Sequence, residues 1–325
     1  MKDLSIIVPI YNVEKYVFQC LDSLYNQELV EDCFEVIIVN DGTKDRSMDI
    51  VSEFAKCHSN IIIINQENRG LSVARNSGLA RATGRYIMFV DSDDFIVKGC
   101  LPILLSKAIE HSVDMLIADF VKMTDEEIER SIPNCKNKRY AENVMTGREA
   151  FVNFLNPVQC YIWRIIYSRD FLYKNRLTFI PGIYFEDIPF TIECFLKVNK
   201  SVVYLSPFYI YRQHYNSIVS TINKKKLLDF NRILLHLWTL LKTEMLSKDD
   251  YYKLMDTIFV TFSIEMWYLS HDKSVFPYRR EIVEDLKEKV PNLYFCGGVK
   301  QRFISLIFRW WPYAYLWIRS LQFFK

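Results

Sequence analysis

Hydrophobic residues in the first 118 positions occur as short continuous runs that alternate with amphipathic segments. The runs predict β-strands at residues 4–9, 34–40, 61–65, 86–91 and 115–118. The segments between them repeat apolar residues at helical spacing and predict helices at 13–26, 45–56, 71–82 and 99–110. This alternation is typical of βαβ units, whose crossover helices cover a parallel sheet.

Two of the strands, at residues 36–39 and 61–64, consist only of Ile and Val. Runs of this kind predict strands that are covered on both faces, as in an open, doubly wound sheet. In such sheets ligands bind beyond the carboxyl ends of the strands, where the strand order reverses. The polar residues that directly follow the runs are therefore the candidates for function.

The alternation weakens after about residue 120. The polar stretch 119–145 predicts a loop or hairpin, and a strand is predicted at 201–212. Helical periodicity dominates from residue 224, over 227–246, 251–270 and 280–289. We therefore expect two domains, residues 1–220 and a helical C-terminal region at 221–325.

Composition narrows the class of protein. Half of the 325 residues are hydrophobic and a quarter are charged, which excludes disordered and fibrous chains. A net charge of +2 gives no reason to expect nucleic acid as a partner. Eight cysteines without metal-finger spacing, and an N-terminus without the features of a secretory signal, favour reduced thiols in the cytoplasm.

The strongest local motif is the run of carboxylates after the fourth strand, Asp91-Ser92-Asp93-Asp94. Asp91 and Asp93 are two positions apart at a strand end, so their side chains project to the same side. With a hard divalent cation they could share a diphosphate ligand. Alternatively, acidic residues at strand ends serve as helix N-caps, and such pairs also arise by chance.

Two further turns carry candidate binding residues. Gly70 permits an unusual backbone before a helix start, and Arg75 follows about one turn later, where it could meet an anion. Alternatively, Arg75 is a helix-surface residue paired with a carboxylate. Asp41 could accept a hydrogen bond from a base or ribose, and it could equally be a turn residue.

Taken together and in this order, these motifs resemble the family-2 inverting glycosyltransferases with a GT-A fold. The resemblance rests on residues 5–12, 40–42, 68–76 and 90–94, covers about the first 120 residues closely, and extends loosely to about residue 220. It implies an α/β fold with a GT-A-like, doubly wound, mostly parallel sheet and a helical C-terminal region. It also implies that residues 1–220 bind a nucleotide sugar and carry out catalysis.

The resemblance implies a role for each matched position. The nucleotide would contact Pro9, Tyr11, Asp41, Arg75, Asp91 and Ser92. Within this set the Tyr11 ring would lie against the base, usually uracil in relatives, and Asp91 near the ribose. Asp93 would bind a divalent cation, Mn²⁺ or Mg²⁺, that bridges the diphosphate.

A second acidic motif, Glu186-Asp187, follows Tyr184-Phe185, and the resemblance implies that Asp187 is the general base. Alternatively, these acids complement the dipole of a helix over 188–196. The residues expected to flank the acceptor or the diphosphate are Trp163, Glu186, Arg212 and His214. For Arg212 and His214, a strand-edge cluster without a ligand is the alternative.

These inferences predict a metal-dependent hexosyl- or N-acetylhexosaminyltransferase. Its donor would be a nucleoside diphosphate sugar, UDP-linked, and its acceptor a saccharide or lipid-linked saccharide in polysaccharide or glycolipid synthesis. One alternative is a non-catalytic nucleotide-sugar-binding subunit of an assembly complex. Another is a sugar nucleotidyltransferase, although the Gly-rich phosphate loop that such enzymes carry after the first strand is missing here.

The C-terminal tail differs in composition from the rest of the chain. Residues 289–325 contain six basic residues and no acidic one, and residues 303–324 contain nine aromatic residues, three of them tryptophan. Such a mixture suits a membrane interface, so we expect residues 300–325 to attach the protein to the cytoplasmic face of a membrane. Alternatively, the rings pack on protein. Arg309, Pro312 and Arg319 interrupt the apolar run and argue against a membrane-spanning helix.

Overall fold

The computed structural model describes residues 2–133, 140–155, 159–214, 221–291 and 293–320. The chain divides into two compact units. The sheet unit comprises Met1–Ala150, Tyr161–Gly182 and Glu193–Tyr215, and the helical unit comprises Phe151–Cys160, Ile183–Ile192 and Asn216–Lys325. The predicted domain boundary after residue 220 falls at the end of a segment, 215–220, that lies outside the described residues, and it stays a prediction.

The described part of the sheet unit contains one nine-stranded sheet. Its strands are β1 Leu4–Ile10, β2 Phe34–Asp41, β3 Ile61–Gln66, β4 Tyr86–Phe89, β5 Phe95–Ile96, β6 Met115–Thr124, β7 Tyr140–Met145, β8 Ile165–Ser168 and β9 Ser201–Gln213. The strand order is β3-β2-β1-β4-β8-β6-β9-β5, and β7 pairs with β9.

The order of the parallel strands fixes where the sheet reverses direction. β1 pairs in parallel with β2 on one side and with β4 on the other, and β2 pairs in parallel with β3. The chain thus winds outwards from β1 to β3 and returns to the opposite side of β1 at β4. This topology confirms the predicted doubly wound, mostly parallel sheet and places its switch point between β1 and β4.

Helices lie between the first strands where the sequence predicts them, with ends that differ by a few residues. The helices preceding the C-terminal region are α1 Val17–Tyr25, α2 Ser47–Ala55, α3 Leu71–Arg81, α4 Leu101–His111, α5 Asp125–Arg130, α6 Gly147–Phe154, α7 Arg169–Lys174 and α8 Asp187–Lys197. The C-terminal helices are α9 Lys224–Thr243, α10 Lys248–His271, α11 Arg279–Lys289, α12 Val299–Trp310 and α13 Pro312–Ser320. They confirm the predicted helical C-terminal region.

The prediction of a loop or hairpin over 119–145 is wrong for the residues that the structure describes there. β6 continues to Thr124 and pairs with β9 through two register shifts at Asp119, α5 follows, and β7 pairs with β9 instead of β6. The second half of β6 is only partly buried, which explains its polar composition. A half-exposed strand and a loop have similar sequence patterns.

The prediction that residues 61–64 are covered on both faces is also wrong. β3 is the first strand of the sheet order, and Ile63 is 37% exposed. By contrast, β2 lies between β1 and β3 and is almost entirely buried. All four Ile residues of 61–64 are half-buried or exposed, so the faces of β3 are only partly covered, whereas β2 is covered on both.

Helix α3 packs unusually close to the sheet because it carries a glycine at the contact. A Cβ atom added to Gly78 would lie 2.4 Å from Cγ2 of Ile7 and 3.3 Å from Cγ2 of Val39. These distances are shorter than ordinary van der Waals contacts, so only glycine fits without movement. The close contact fixes the first turn of α3 at the carboxyl end of the parallel strands.

Within the described ranges, no helix has both the length and the hydropathy that crossing a bilayer requires.

Candidate active site

Four loops of the sheet unit follow the carboxyl ends of β1 to β4, and they carry most of the predicted binding residues. Parallel strands end at the same edge of a sheet, so the loops share that edge. The residues after β1 and β4, which begin with Tyr11 and Val90, flank the switch point. This is the position at which an open α/β sheet forms its ligand crevice.

Asp41 anchors the loop that begins α3. Its Oδ1 accepts hydrogen bonds from Nε2 of Gln66 at 2.7 Å and from the backbone amide of Arg69 at 2.9 Å. Its Oδ2 accepts one from the amide of Gly70 at 2.9 Å, where a φ of 85° suits glycine. The buried carboxylate therefore stabilises this loop, whatever its role towards a base.

Arg75 and Asp91 form an ion pair in which the guanidinium is buried and the Asp91 side chain is 26% exposed. Nη2 of Arg75 donates to Oδ1 of Asp91 at 2.6 Å, and the guanidinium lies 5.6 Å from the ring centroid of Phe179. The alternative interpretation of Arg75 as a helix-surface residue is wrong, because the residue is 2% exposed, although it does pair with a carboxylate. Burial raises the pKa of Asp91, the Arg75 charge opposes this shift, and the Asp93 charge adds to it.

Asp94 is the most deeply buried carboxyl of the loop. Its Oδ1 accepts a hydrogen bond from the backbone amide of Arg212 at 2.8 Å. Burial, and then the charges of Asp93 and Asp91, raise the pKa of Asp94 well above its usual range. The hydroxyl of Tyr209 accepts a hydrogen bond from the amide of Asp91 at 3.1 Å, so β9 holds both ends of the loop.

Asp93 is the most accessible of the three acids, with a side chain one-third exposed. Its Oδ2 lies 2.9 Å from Nε2 of His214, and the His214 ring stacks on Tyr16 with a centroid separation of 5.1 Å. The structure thus brings together the predicted cation ligand and His214, which are 121 positions apart in the sequence.

Arg212 holds the carboxylate loop in place. Its Nε donates to the backbone carbonyl of Asp93 at 2.9 Å, and its two Nη atoms contact Asp125 and Gln19. Its guanidinium lies 4.9 Å from the Tyr16 ring centroid. Arg212 therefore lies in a cluster of polar and aromatic side chains near the end of β9, and the alternative of a cluster without a ligand stays a prediction. Sequence reasoning missed Gln19, Tyr16 and Asp125, because nothing in their local pattern distinguishes them from ordinary surface residues.

The other predicted donor residues differ in accessibility. Pro9 is buried within β1 and Ser92 is buried in the carboxylate loop. Tyr11 is 47% exposed at the end of β1, so its ring is available to a ligand. Only Tyr11 of these three offers a side chain that a base could stack on.

Trp163 lies inside an aromatic stack. Its ring stacks on Tyr161 and Tyr209, with centroid separations of 4.7 Å and 4.2 Å, and it is 4% exposed. Since the hydroxyl of Tyr209 also accepts a hydrogen bond from the amide of Asp91, this stack supports the carboxylate loop through Tyr209. The predicted contact of Trp163 with an acceptor stays a prediction.

Glu186 and Asp187 lie at the start of α8, and the segment before them is held within the helical unit. The amide of Tyr184 donates to Oδ2 of Asp229 at 3.0 Å, and Phe185 stacks on Phe230 at 4.6 Å. Phe185 has a φ of 59°, which is uncommon for a bulky residue and marks a locally strained backbone. Glu186 is buried, whereas Asp187 is partly exposed as the first residue of the helix.

The donor set of the carboxylate loop fits a cation that a substrate helps to hold. In the described ranges, no group of three or more His, Cys, Asp or Glu side chains could hold a metal ion. Mg²⁺ commonly binds one or two carboxylates and completes its shell with substrate phosphates and water. Asp91 and Asp93 raise the pKa of Asp94, so a cation at this loop would relieve their mutual repulsion.

Comparison with known proteins decides the family. The sequence model of the family described as Glycosyl transferase family 2 matches residues 5–174. The chain belongs to glycosyl transferase family 2. This match confirms the resemblance carried by the strand-end motifs, since it spans all four of them.

The family-2 chain is similar to two named relatives. It is 36% identical over 220 residues to the glycosyltransferase EpsJ of Bacillus subtilis, an alignment that covers 66% of this chain and 62% of EpsJ. It is 30% identical over 212 residues to the poly(ribitol-phosphate) beta-N-acetylglucosaminyltransferase TarS of Staphylococcus aureus, covering 65% of this chain and 35% of TarS. The matched part thus spans less than two thirds of either relative.

A crystal structure of TarS residues 1–349 in complex with UDP-GlcNAc has a similar fold. The TM-score is 0.69 at 25% sequence identity, and the similarity covers 90% of this chain and 82% of the TarS chain. The similarity confirms the predicted α/β fold of the GT-A type.

Proposed function

We propose that the protein transfers a sugar from a nucleoside diphosphate sugar, with UDP as the nucleotide, to a saccharide or lipid-linked saccharide. The observation that carries the proposal is the loop of three carboxylates at the β1/β4 switch point, fixed by Arg75 and Arg212 in a family-2 chain. The likeness to a TarS complex with UDP-GlcNAc supports UDP as the nucleotide and an N-acetylhexosaminyl group as a candidate for the sugar.

Donor binding is assigned to the loops of the sheet unit. Tyr11 stacks on the base, Pro9 shapes the end of β1 beneath it, and Asp41 both anchors the α3 loop and faces the base edge. Ser92 and the Arg75–Asp91 pair lie on the nucleotide side. The Arg75 charge opposes the rise in the Asp91 pKa that burial causes, and so favours the carboxylate form that would accept hydrogen bonds from ribose hydroxyls.

Asp93, with Asp91 beside it, holds a divalent cation, Mn²⁺ or Mg²⁺, in this proposal. When bound, the cation supplies positive charge that stabilises the departing diphosphate. The chain's own contribution is to fix the carboxylates before the donor arrives. The Arg212 side chain donates a hydrogen bond to the backbone carbonyl of Asp93, and the Arg212 backbone amide donates one to the Asp94 carboxylate. Both contacts hold the loop in place.

Asp187 acts as the general base. Inverting transfer is a single displacement, in which the acceptor hydroxyl attacks the anomeric carbon while its proton passes to a carboxylate. A carboxylate of ordinary pKa is ionised at neutral pH, so this step requires position more than tuning. The strained turn at Phe185 and its contact with Phe230 support such a positioning role.

The acceptor or the diphosphate is flanked by Trp163, Glu186, Arg212 and His214. His214 contacts the cation-binding carboxylate, so it acts next to the diphosphate. Arg212 acts as a positioning residue, since its described contacts all lie within the sheet unit. Trp163 positions the carboxylate loop through its stacking contact with Tyr209.

We further propose that the reaction takes place in the cytoplasm. Cys20 and Cys194 are buried in the structure as free thiols. Free buried thiols are compatible with a reducing compartment.

A screen of nucleotide sugars tests the proposed reaction. Purified protein is incubated with Mn²⁺ and a panel of UDP-, GDP- and TDP-sugars, and the release of nucleoside diphosphate is measured. Parallel incubations with nucleoside triphosphates and sugar phosphates are assayed for pyrophosphate. We expect release of UDP from at least one UDP-sugar, and faster release when a saccharide acceptor is added.

The same screen separates the alternatives. Tight binding of a donor without any release would identify a non-catalytic binding subunit. Formation of pyrophosphate from a nucleoside triphosphate and a sugar phosphate would identify a nucleotidyltransferase. Either result would overturn the proposal.

A further inference from the structure

Helices α12 and α13 direct their apolar side chains in two opposite directions. One set is buried in the helical unit and includes Ile304, Phe308, Tyr315 and Leu316. The ring centroid of Phe308 lies 4.9 Å from that of Phe262 on α10, and the Tyr315 ring stacks on Phe262 at 6.1 Å. Half of the tail therefore packs on protein, as one of the two interpretations of its sequence predicts.

The other set points away from the core of the helical unit. Val299, Phe303, Leu306 and Trp310 follow one another at intervals of four, three and four residues, so they form a single stripe along α12. Trp311 and, on α13, Tyr313 and Trp317 extend the exposed apolar surface. We call these seven residues the tail face. The exposed fractions of its three tryptophans are 64–65%.

Cations border the tail face. Lys300, Arg302 and Arg309 are exposed on α12, and no acidic residue occurs anywhere in 289–325. The helical unit elsewhere carries many carboxylates, such as Glu281, Glu284 and Glu288 on α11. Along the sequence of the tail, exposed rings therefore alternate with charges of one sign.

A groove adjoins the tail face and shares Phe303 with it. The groove has a volume of about 240 Å³, and apolar side chains of α10, α12 and α13 line it, among them Phe259, Ile304 and Ile307. Lys300 and Arg319 also line it. Nη2 of Arg319 donates to the carbonyl of Ser263 at 3.0 Å, which fixes the guanidinium against α10. A groove with apolar walls and two cations complements an anionic amphiphile.

We propose that the tail face docks on an anionic lipid bilayer. The Trp and Tyr rings lie at the depth of the headgroups, and Lys300, Arg302 and Arg309 contact lipid phosphates. A second copy of the chain fits less well, because a two-fold symmetric contact would set the cations of one face against those of the other. The inference rests on the tail alone and is independent of the proposed transfer reaction.

Vesicle binding by the full-length chain tests the proposal. Sedimentation is measured with vesicles of phosphatidylcholine alone and of equimolar phosphatidylcholine and phosphatidylglycerol. We expect binding to the anionic vesicles, weakening as salt is added, and little binding to the neutral ones. Absence of binding to anionic vesicles would overturn the proposal.

Two pairs of variants test which residues are responsible. Trp310→Ala with Trp317→Ala, and separately Arg302→Gln with Arg309→Gln, should each weaken vesicle binding by about tenfold or more. Trp267→Ala on α10 and Arg46→Gln, directly before α2, are the controls, since both residues are exposed outside the tail face, and they should bind as wild type does.

Thermal denaturation of every variant checks the fold, and all substituted tail residues are exposed. Unchanged vesicle binding by both pairs would overturn the assignment of the surface. Analytical ultracentrifugation tests whether a second copy of the chain binds the tail face instead. Concentration-dependent dimers that the tryptophan pair disrupts, in a protein that does not bind vesicles, would identify a contact between copies and would also overturn the proposal.

Discussion

At the scale of single residues, the carboxylate loop shows how one acidic motif can contain three different environments. Asp91 is paired with Arg75, Asp94 is buried with a strongly raised pKa, and Asp93 stays accessible beside His214. Asp93 has the most exposed side chain of the three, 33% against 26% for Asp91, which supports its proposed contact with a cation and a diphosphate. The identities of the three acids alone do not distinguish them.

Asp93→Asn tests this distinction. The substitution removes one charge from an accessible side chain, so UDP affinity in the presence of Mn²⁺ should fall by about tenfold or more, equivalent to ~1.4 kcal/mol. With the metal chelated, wild type and variant should bind UDP equally weakly. Titration calorimetry measures both conditions. Asp49→Asn, on the exposed surface of α2, is the matched control.

An Asp93→Asn variant that keeps the affinity of wild type and its dependence on Mn²⁺ would contradict the assignment of Asp93. The remaining candidate would then be Asp91, whose Oδ1 is already paired with Arg75.

At the scale of elements, the position of α3 depends on Gly78. Alanine at this position would favour the helix by ~1 kcal/mol, but its Cβ would lie 2.4 Å from the buried side chain of Ile7. Overpacking of this severity costs up to ~3 kcal/mol, so the steric effect wins.

We therefore expect Gly78→Ala to lower the free energy of unfolding by about 1–2 kcal/mol in chemical denaturation. It should also weaken UDP binding, because α3 carries Arg75. Gly298→Ala is the control, since an added Cβ there meets nothing within 4 Å. If both variants have the same free energy of unfolding, the close contact of α3 at Gly78 does not require glycine.

The helical unit has a buried acid without a described partner. Both carboxyl oxygens of Glu265 on α10 lack a hydrogen-bond partner among the described residues. Burial, and then the charge of Asp285, raise the pKa of Glu265 well above its ordinary value of 4.5. The folded protein thus keeps this carboxyl protonated at a pH where the unfolded chain ionises it.

This raised pKa predicts a pH dependence of stability. As pH rises above about 4.5, the unfolded chain loses the Glu265 proton and the folded chain does not, so this group lowers stability progressively up to its folded pKa. Glu265→Met should remove that decline. Denaturation at several pH values between 4 and 8 measures the slope. A slope equal to that of wild type would show that Glu265 is ionised in the folded protein.

The sequence predicts the elements that depend on local patterns and misses the contacts that depend on distance along the chain. Short, nearly continuous apolar runs specify β1, β2 and β4, because a strand covered on both faces needs apolar residues at successive positions. Arg212 meets the carbonyl of Asp93 from 119 positions away, and no local pattern records that contact. Composition likewise could not show that β3 is an edge strand, because edge and central positions follow from strand order.

At the scale of the whole molecule, the two units contain different parts of the proposed chemistry. The sheet unit carries the loops assigned to the donor, whereas the helical unit carries Asp187 and the tail face. The tail belongs to the fold as well as to a surface, since α12 and α13 bury side chains against α10. A deletion of the tail therefore removes both the packing on α10 and the exposed tail face.

Deleting residues 300–325 should destabilise the helical unit. The deletion removes the buried side chains of Ile304, Phe308, Tyr315 and Leu316, each of which stabilises by about 1.5–3 kcal/mol, and it uncovers Phe262. We expect a lower melting temperature and aggregation on heating. The Trp310→Ala, Trp317→Ala pair should keep the melting temperature of wild type. Equal melting of the truncated and full-length chains would contradict the packing described for α12 and α13.

The central claim is that the protein transfers sugar with Asp187 as the base, and the most direct test compares turnover and donor binding of the Asp187→Asn protein with those of wild type. Turnover should fall by about 10²–10⁴-fold, the usual contribution of a general base, while UDP-sugar affinity in Mn²⁺ stays within about twofold. Asp170→Asn, an exposed residue on α7, should behave as wild type. Normal turnover by the Asp187→Asn protein would contradict the account.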